Sequence, residues 1–108
     1  MNWMNGGVGG RPGLHHVAPL TSREVDVLTL WFAGMSKANV GRELYLAEST
    51  VSTYIARARS RYENLGLPAG TQGLLLSRAV GDGHVDIGTI LDLADRCRRN
   101  MGVDLLAG

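Results

Sequence analysis

Cysteine, long apolar runs and net charge are all scarce in this sequence, and each scarcity excludes a class of protein. Cys97 is the only cysteine, so no disulfide can form within the chain, and the cysteine and histidine sets of a zinc site are missing. No apolar run approaches the roughly 18 residues of a membrane span. The net charge is only +1, so any nucleic-acid binding must depend on where individual basic residues lie.

Signals for secretion and for catalysis are missing as well. The segment from Met1 to Leu20 has neither a charged start nor an apolar stretch, and together with the lone cysteine this favours a cytoplasmic setting. The sequence has no Ser/His/Asp set, no paired catalytic carboxylates and no glycine-rich phosphate loop. Adjacent histidines at His15 and His16 lack further ligands nearby in the chain. We therefore expect no enzymatic activity, no cofactor, no metal and no membrane association.

The chain divides into three segments. Its 108 residues are enough for one small domain with a modest core. Residues 1–18 combine glycines and a proline with no regular period, so they are expected to form a flexible arm in which Trp3 is loosely held. Residues 19–83 are expected to form the domain, and residues 84–108 a C-terminal helical extension and tail.

The first helix is marked by a capping box. Thr21 and Glu24 have the T-x-x-E spacing, in which the threonine oxygen accepts from a first-turn amide and the glutamate accepts from the cap amide. Leu20 is placed to pack back against the helix, and Gly34 can supply a left-handed stop. The pattern predicts a helix over residues 22–33.

A short second helix is expected from Lys37 to Leu44, with Ser36 as its cap. Gly41 lies inside it, where glycine costs roughly 1 kcal/mol relative to alanine. We therefore expect two backbone segments to approach closely at that position. Only three residues separate this helix from the next, and that spacing is typical of a helix-turn-helix.

The third predicted helix, from about residue 49 to residue 64, has two contrasting faces. Its inward stripe, at spacings of three and four, contains Val51, Tyr54, Ile55, Ala58 and Tyr62. Its opposite face contains mostly small side chains around one long cation: Ser49, Ser52, Thr53, Ala56, Arg57 and Ser60. Such a face suits a DNA major groove, which admits one α-helix. A solvated polar face is the alternative, and periodicity does not decide between the two.

The fourth predicted helix has more apolar surface than one face can bury. Thr71 can cap it, and it runs to about residue 80. Leu74, Leu75 and Leu76 are consecutive and spread over about 200° of helix surface. Part of that surface is expected to meet another partner.

A fifth helix is predicted over residues 86–100, and residues 101–108 read as a tail. Its inward stripe is expected to contain Ile87, Ile90, Leu91, Ala94 and Cys97. Asp92 with Arg96, and Asp95 with Arg99, have the spacing of i,i+4 ion pairs on the outer side. Two arrangements stay open: this helix covers the leucines of the fourth helix, or it leaves them available for a second copy.

These residues resemble a known family. Residues 20–36, LTSREVDVLTLWFAGMS, resemble the opening of the LuxR/NarL-type (GerE-like) DNA-binding domain. The resemblance continues through Val40, Leu44, Leu46, Thr50, Val51 and Arg61 and covers about residues 19–83. It implies an all-α fold, with the four helices of a LuxR-type helix-turn-helix domain and, in this chain, an additional C-terminal helix.

The resemblance also implies a function. It implies a sequence-specific, DNA-binding transcription regulator, or the output domain of a response regulator, with the third helix in the major groove and a homodimer formed through the fourth. The expected partners are double-stranded DNA, a second copy of the chain and RNA polymerase. The expected DNA-binding residues are Ser49, Thr50, Ser52, Thr53, Ala56, Arg57, Arg61 and Lys37. The expected dimerisation residues are Leu74, Leu75, Leu76 and Arg78.

Several positions depart from the family pattern. Ala47 stands where a capping serine is usual, Ser52 where lysine is frequent, and Tyr54 where histidine is frequent. We expect no receiver or ligand-binding domain before residue 20, and therefore not the usual switch. Since a lysine supplies much of the attraction to phosphate, the alternative is a protein-interaction module that keeps the helix-turn-helix shape with weak or no DNA binding. Arg59 is assigned to neither function.

Overall fold

The structure, a computed structural model, describes the backbone of residues 19–107 and the side chains of residues 19–99. This part contains five α-helices and no strand: α1 (Ser22–Phe32), α2 (Lys37–Leu44), α3 (Glu48–Glu63), α4 (Gln72–Gly81) and α5 (Ile87–Ala107). The predicted all-α class is confirmed. The expected flexible arm, with Trp3 and the paired histidines, lies outside the described residues.

The first helix begins as its capping box predicts. The Glu24 amide donates to Thr21 Oγ1 at 3.1 Å, and the Thr21 amide donates to Glu24 Oε1 at 3.0 Å. The chain leaves α1 through Gly34, whose φ of 106° lies in the left-handed region that glycine adopts without a Cβ clash. Both signals that define α1 in the sequence are therefore confirmed.

The turn between α2 and α3 explains the glycine inside α2. The Leu46 amide donates to the Gly41 carbonyl at 2.7 Å, and a Cβ on Gly41 would meet the Leu46 carbonyl oxygen well inside contact distance. Tyr45 makes the turn with a φ of 58°, and its side chain is 95 % exposed. The close approach expected at Gly41 is confirmed, and it fixes the angle between the two helices.

The main core lies where α3 packs against α1 and α2. Its fully or almost fully buried members come from all of these helices and from α4 and the loop before it: Val27, Leu28, Val40, Val51, Ile55, Ala58, Tyr62, Ala69 and Leu75. Tyr54 and Trp31 are partly buried against it. The inward stripe predicted for α3 is therefore confirmed.

A second, smaller cluster attaches α5, which packs mainly against α1. Its buried members are Ala33, Ala79, Val85 and Ile90, with Phe32, Leu76, Leu93 and Ala94 among its partly buried neighbours. The predicted inward face of α5 was partly wrong, because Ile87 and Leu91 are 47 % and 58 % exposed. The buried side of α5 is rotated from the predicted face toward Leu93, so that it packs against α1.

Two further expectations for α5 are corrected. The helix continues through residue 107, so most of the expected tail is helical; a single glycine at Gly102 costs about 1 kcal/mol and does not end a helix. Within residues 19–99, the two ion pairs predicted on α5, Asp92 with Arg96 and Asp95 with Arg99, do not form. The exposed acids and arginines of α5 therefore face solvent separately.

Candidate nucleic-acid interface

One side of α3 faces away from the core and presents small polar side chains. Ser49, Thr53, Ala56, Arg57 and Ser60 are exposed, while Ser52 is half-buried. Thr53, Ala56, Arg57, Ser60, Arg61 and Asn64 line an open depression on this side. The exposed face predicted from periodicity is therefore present as a continuous surface.

Arg57 is the long cation of this surface. Its guanidinium carbon lies 5.9 Å from the centre of the Tyr54 ring, within the range of a cation–π contact. Tyr54 itself is half-buried against the core. The ring therefore supports the arginine from the core side and leaves the guanidinium open to solvent.

The beginning of α3 has no side-chain cap. Ala47 occupies the cap position and makes no side-chain hydrogen bond, while Glu48 is the acidic residue of the first turn. Thr50 is half-buried, and the hydroxyl of Thr53 donates to the Ser49 carbonyl at 3.0 Å. The small side chains at this end of α3 leave its first turn accessible.

Lys37 is the first residue of α2 and is half-buried. Ser36 caps that helix by accepting from the Asn39 amide at 3.1 Å, and Arg42 donates to the Asn39 side chain. Arg23 donates to the Leu44 carbonyl at 2.9 Å and so joins α1 to the end of α2. The sequence reasoning did not identify this role of Arg23, which depends on how α1 and α2 are placed.

Arg61 is placed differently from Arg57. Its Nε donates to Glu24 Oε1 and its Nη2 donates to Glu24 Oε2, each at 3.0 Å. Glu24 is 1 % exposed, whereas the Arg61 side chain is 33 % exposed. Sequence reasoning found Glu24 only as a capping residue, and it did not anticipate this two-pronged pair between α1 and α3. A phosphate contact by Arg61 stays a prediction.

Burial and hydrogen bonding shift the pKa of Glu24 in opposite directions. Burial alone would raise the pKa of the carboxyl, but hydrogen bonds from Arg61 and from the Thr21 amide, with the charges of Arg61 and Arg57, hold that pKa below its usual value. Glu24 is therefore ionised at neutral pH and pairs with Arg61 as a carboxylate.

Two arginines hold the loop between α3 and α4. Arg59 Nε donates to the Ala69 carbonyl at 2.9 Å, and Arg78 Nε donates to the Pro68 carbonyl at 3.0 Å. Both side chains are half-buried. The Arg59 guanidinium is therefore directed at the chain's own backbone.

The three leucines of α4 have separate surroundings. Leu75 is fully buried in the main core, so its expected place at a dimer surface is corrected. Leu76 is half-buried against the second cluster, to which α5 contributes. Only Leu74 is exposed, by 42 %, in a depression that it shares with Leu67, Ser77, Arg78, Gly81 and Asp82. Within one chain, α5 therefore covers one edge of the leucine surface and leaves Leu74 open.

Metal-binding clusters and membrane-spanning helices are both absent from the part of the chain that the structure describes. No three histidine, cysteine, aspartate or glutamate side chains are grouped so that they could hold a metal ion. None of the described helices is both long and apolar enough to cross a bilayer.

Comparison with known proteins finds a similarity in the first three helices. The model of the GerE family, described as "Bacterial regulatory proteins, luxR family", matches residues 18–63, which include α1, α2 and α3. No solved structure is significantly similar to the chain. The matched residues include Glu24, Arg57 and Arg61, whereas α4 and α5 lie outside the match. Residues 18–63 are therefore similar to the luxR family of bacterial regulatory proteins, and this similarity supports a DNA-binding transcription regulator.

Proposed function

We propose that this protein regulates transcription by binding a specific DNA sequence as a homodimer, with α3 in the major groove of each half-site. The observation that carries the proposal is the exposed face of α3, where small side chains surround Arg57. Large side chains would hold the helix away from the base edges. Small ones let the backbone of α3 approach the groove floor.

The face of α3 divides into base-reading and phosphate-binding parts. Ser52, Thr53 and Ala56 lie along the middle of the helix, where hydroxyls can bond base edges and a methyl group can contact thymine. Arg57 is the residue on this surface that can reach a guanine or a phosphate. This division supports recognition of a defined sequence and not only of charge.

Residues at the start of α2 and α3 are proposed to fix the register. Ser49, Thr50 and Lys37 contribute hydroxyls and one ammonium near the helix starts. Contacts of this kind bind phosphate oxygens without reading sequence. With Ser52 in place of a more basic side chain, we expect a modest affinity that depends strongly on salt.

The proposed dimer contact is the open depression beside Leu74. This leucine and Arg78 lie on the surface of α4 that α5 leaves uncovered. A two-fold pair through this surface would place two α3 helices on half-sites about one turn of DNA apart, roughly 34 Å. RNA polymerase stays a predicted further partner.

The test of DNA binding is a fluorescence-anisotropy titration with a pool of genomic duplex fragments over a range of salt concentrations. We expect Arg57→Ala to weaken binding and to reduce the magnitude of the salt slope by about 1, because one phosphate contact or base contact is lost. Arg98→Ala is the matched control, since Arg98 is an exposed arginine on α5 and its removal changes the net charge equally.

Two results would count against this proposal. Equal losses in the Arg57→Ala and Arg98→Ala proteins would mean that only overall charge matters. No binding by the folded wild-type chain at any salt concentration would favour the protein-interaction module, for which exposed Leu74 is the specific observation.

The dimer is tested by light scattering of the wild-type chain and of Leu74→Glu. We expect Leu74→Glu to give a monomer with a weaker, single-half-site affinity. Leu91→Glu is the control, because Leu91 is an exposed leucine on α5, away from the proposed contact. A wild-type monomer at the concentrations used for DNA binding would contradict the dimer and leave the docking of α3 to be judged by the titration.

A further inference from the structure

Glu24 accepts three hydrogen bonds where its carboxylate is buried between α1 and α3. Its Oε1 accepts from the Thr21 amide and from Arg61 Nε, and its Oε2 accepts from Arg61 Nη2, all at 3.0 Å. The carboxylate is 1 % exposed, so water cannot replace a lost partner. Breaking such a pair leaves a buried charge without compensation, which is strongly unfavourable.

The same geometry restricts what Arg61 can do outside the pair. Two of its three guanidinium nitrogens donate to Glu24, one to each carboxylate oxygen. This is the bidentate geometry in which a planar guanidinium matches a carboxylate. Arg57, one helical turn earlier, is exposed and forms no ion pair within residues 19–99. Two arginines on one helix therefore differ in what they can offer to a DNA backbone.

We propose that Arg61 is a positioning residue: by binding Glu24 it fixes the tilt of α3 against α1, and it does not serve as a phosphate contact. This inference rests on the proposed function for its effect on DNA binding. The pair joins α1 and α3 near the C-terminal end of α3, while the base-reading residues lie between the middle of the helix and its N-terminal end.

The distances along α3 make this tilt important. Ser52 and Arg61 are nine residues apart, which corresponds to roughly 14 Å of helix. A tilt of about 5° at Arg61 would therefore move Ser52 by about 1 Å. Recognition groups need to be held within roughly 0.5 Å of their productive geometry, so a change in tilt of this size is enough to weaken base reading.

The first experiment compares salt slopes in Arg61→Met and Arg57→Met, because methionine retains most of the apolar stem and removes only the charge. We expect Arg57→Met to reduce the magnitude of the slope by about 1. Arg61→Met should lower affinity at least as much but leave the slope unchanged. Arg61→Lys should recover part of the affinity, because an ammonium can still donate to Glu24. A slope reduced by about 1 in Arg61→Met would overturn the proposal.

The second experiment changes the partner and leaves Arg61 intact. Glu24→Gln releases the guanidinium from its ion pair, so affinity should fall while the slope keeps its magnitude or increases. The wild-type protein should also lose affinity on acidification. Since the pKa of Glu24 is lowered from 4.5 in the folded state, the contribution of the pair is present above about pH 4.5 and is lost as the pH falls through the lower folded value. Glu24→Gln should lack that acid-dependent loss.

A third measurement needs no DNA and separates failure of this inference from failure of the proposed function. Urea unfolding of Glu24→Gln, Arg61→Met and the double variant forms a double-mutant cycle, and amide chemical shifts of residues 49–53 report the position of α3 in the folded variants. Non-additive unfolding midpoints with shifted amides support positioning even if the wild type binds no DNA. Additive midpoints, or unchanged amides in folded Arg61→Met, would overturn it.

Discussion

Helices α3 and α5 are both amphipathic and both carry exposed arginines, but they are attached to the molecule very differently. Val51, Ile55, Ala58 and Tyr62 of α3 are buried, and the helix packs against both α1 and α2. Of the described side chains of α5, only Ile90 is buried, and the helix packs mainly against α1. A helix enclosed on two sides has a single possible rotation, whereas a helix resting on one neighbour has several.

This difference explains where periodicity succeeded. On α3, residues three and four apart form one stripe that two neighbours enclose, so the pattern identified the buried face correctly. On α5, apolar residues spread over a wider arc, and Ile87 and Leu91 lie at its exposed edge. The position of α1 decided which part of that arc is covered.

The largest expected effect tests this contrast in packing directly. Ile55→Ala should lower the free energy of unfolding by about 2–5 kcal/mol, because it leaves a cavity in the main core. Ile90→Ala should fall near the lower end of that range, and Leu91→Ala should change it by less than about 0.5 kcal/mol. Urea denaturation of the three proteins measures the order. A Leu91→Ala loss as large as that of Ile90→Ala would mean that α5 is rotated differently from the structure.

The next effect concerns the turn that joins α3 to α2. Gly41→Ala should destabilise the protein by about 1–3 kcal/mol, because the new methyl group would press on the Leu46 carbonyl and the backbone must shift. Gly73→Ala is the control on α4, where a Cβ meets nothing within 4 Å. It should be neutral or stabilising by up to about 1 kcal/mol. Thermal unfolding of both variants compares them, and equal changes would contradict the close approach.

The beginnings of α3 and α5 allow a smaller and opposite pair of changes. Ala47→Ser should stabilise the protein by about 1 kcal/mol, since it supplies the side-chain cap that α3 lacks. Asp86→Ala should cost about the same, because Asp86 Oδ2 accepts from the Thr89 amide at 2.9 Å at the start of α5. Urea midpoints measure both. A loss of stability in Ala47→Ser would mean that this turn cannot adopt cap geometry.

The smallest effect at neutral pH is expected at Tyr62. Its hydroxyl is buried and makes no hydrogen bond of ordinary geometry, although the Asp82 carboxylate acts on it electrostatically. Tyr62→Phe should change the free energy of unfolding by less than about 1 kcal/mol at pH 7. Burial and Asp82 raise the pKa of Tyr62 above its usual value of 10.0, so the wild type should lose stability as the pH rises beyond about 10. Tyr62→Phe should not show that loss. If the stability of the two proteins depended on alkaline pH in the same way, the prediction would be wrong.

Sequence reasoning reached the candidate interface through two independent routes. The spacing of apolar residues on α3 left Ser49, Thr53 and Arg57 on the outside, and the family resemblance selected the same face. It could not distinguish Arg57 from Arg61, because spacing places both on one side of the helix. The difference depends on Glu24, which lies 37 positions from Arg61 in the sequence and meets it only after α1 and α3 pack.

The leucines of α4 show the same limit on what the sequence can predict. Three consecutive leucines predicted more apolar surface than one face could bury, and that expectation agrees with the exposure of Leu74. Which leucine stays open was decided by two neighbours outside the helix. Leu75 is buried in the main core, and Leu76 packs against the cluster that attaches α5.

The sequence by itself determined the helices and their starts, because a capping box, a glycine stop or an apolar period acts within a few residues of chain. It also showed a similarity to one family in the helix-turn-helix, because many matching residues lie within one continuous segment. The tertiary structure decided which arginine is held by Glu24, which side of α5 is covered and which leucine stays open. These outcomes depend on contacts between residues far apart in the sequence, and packing alone brings those residues together.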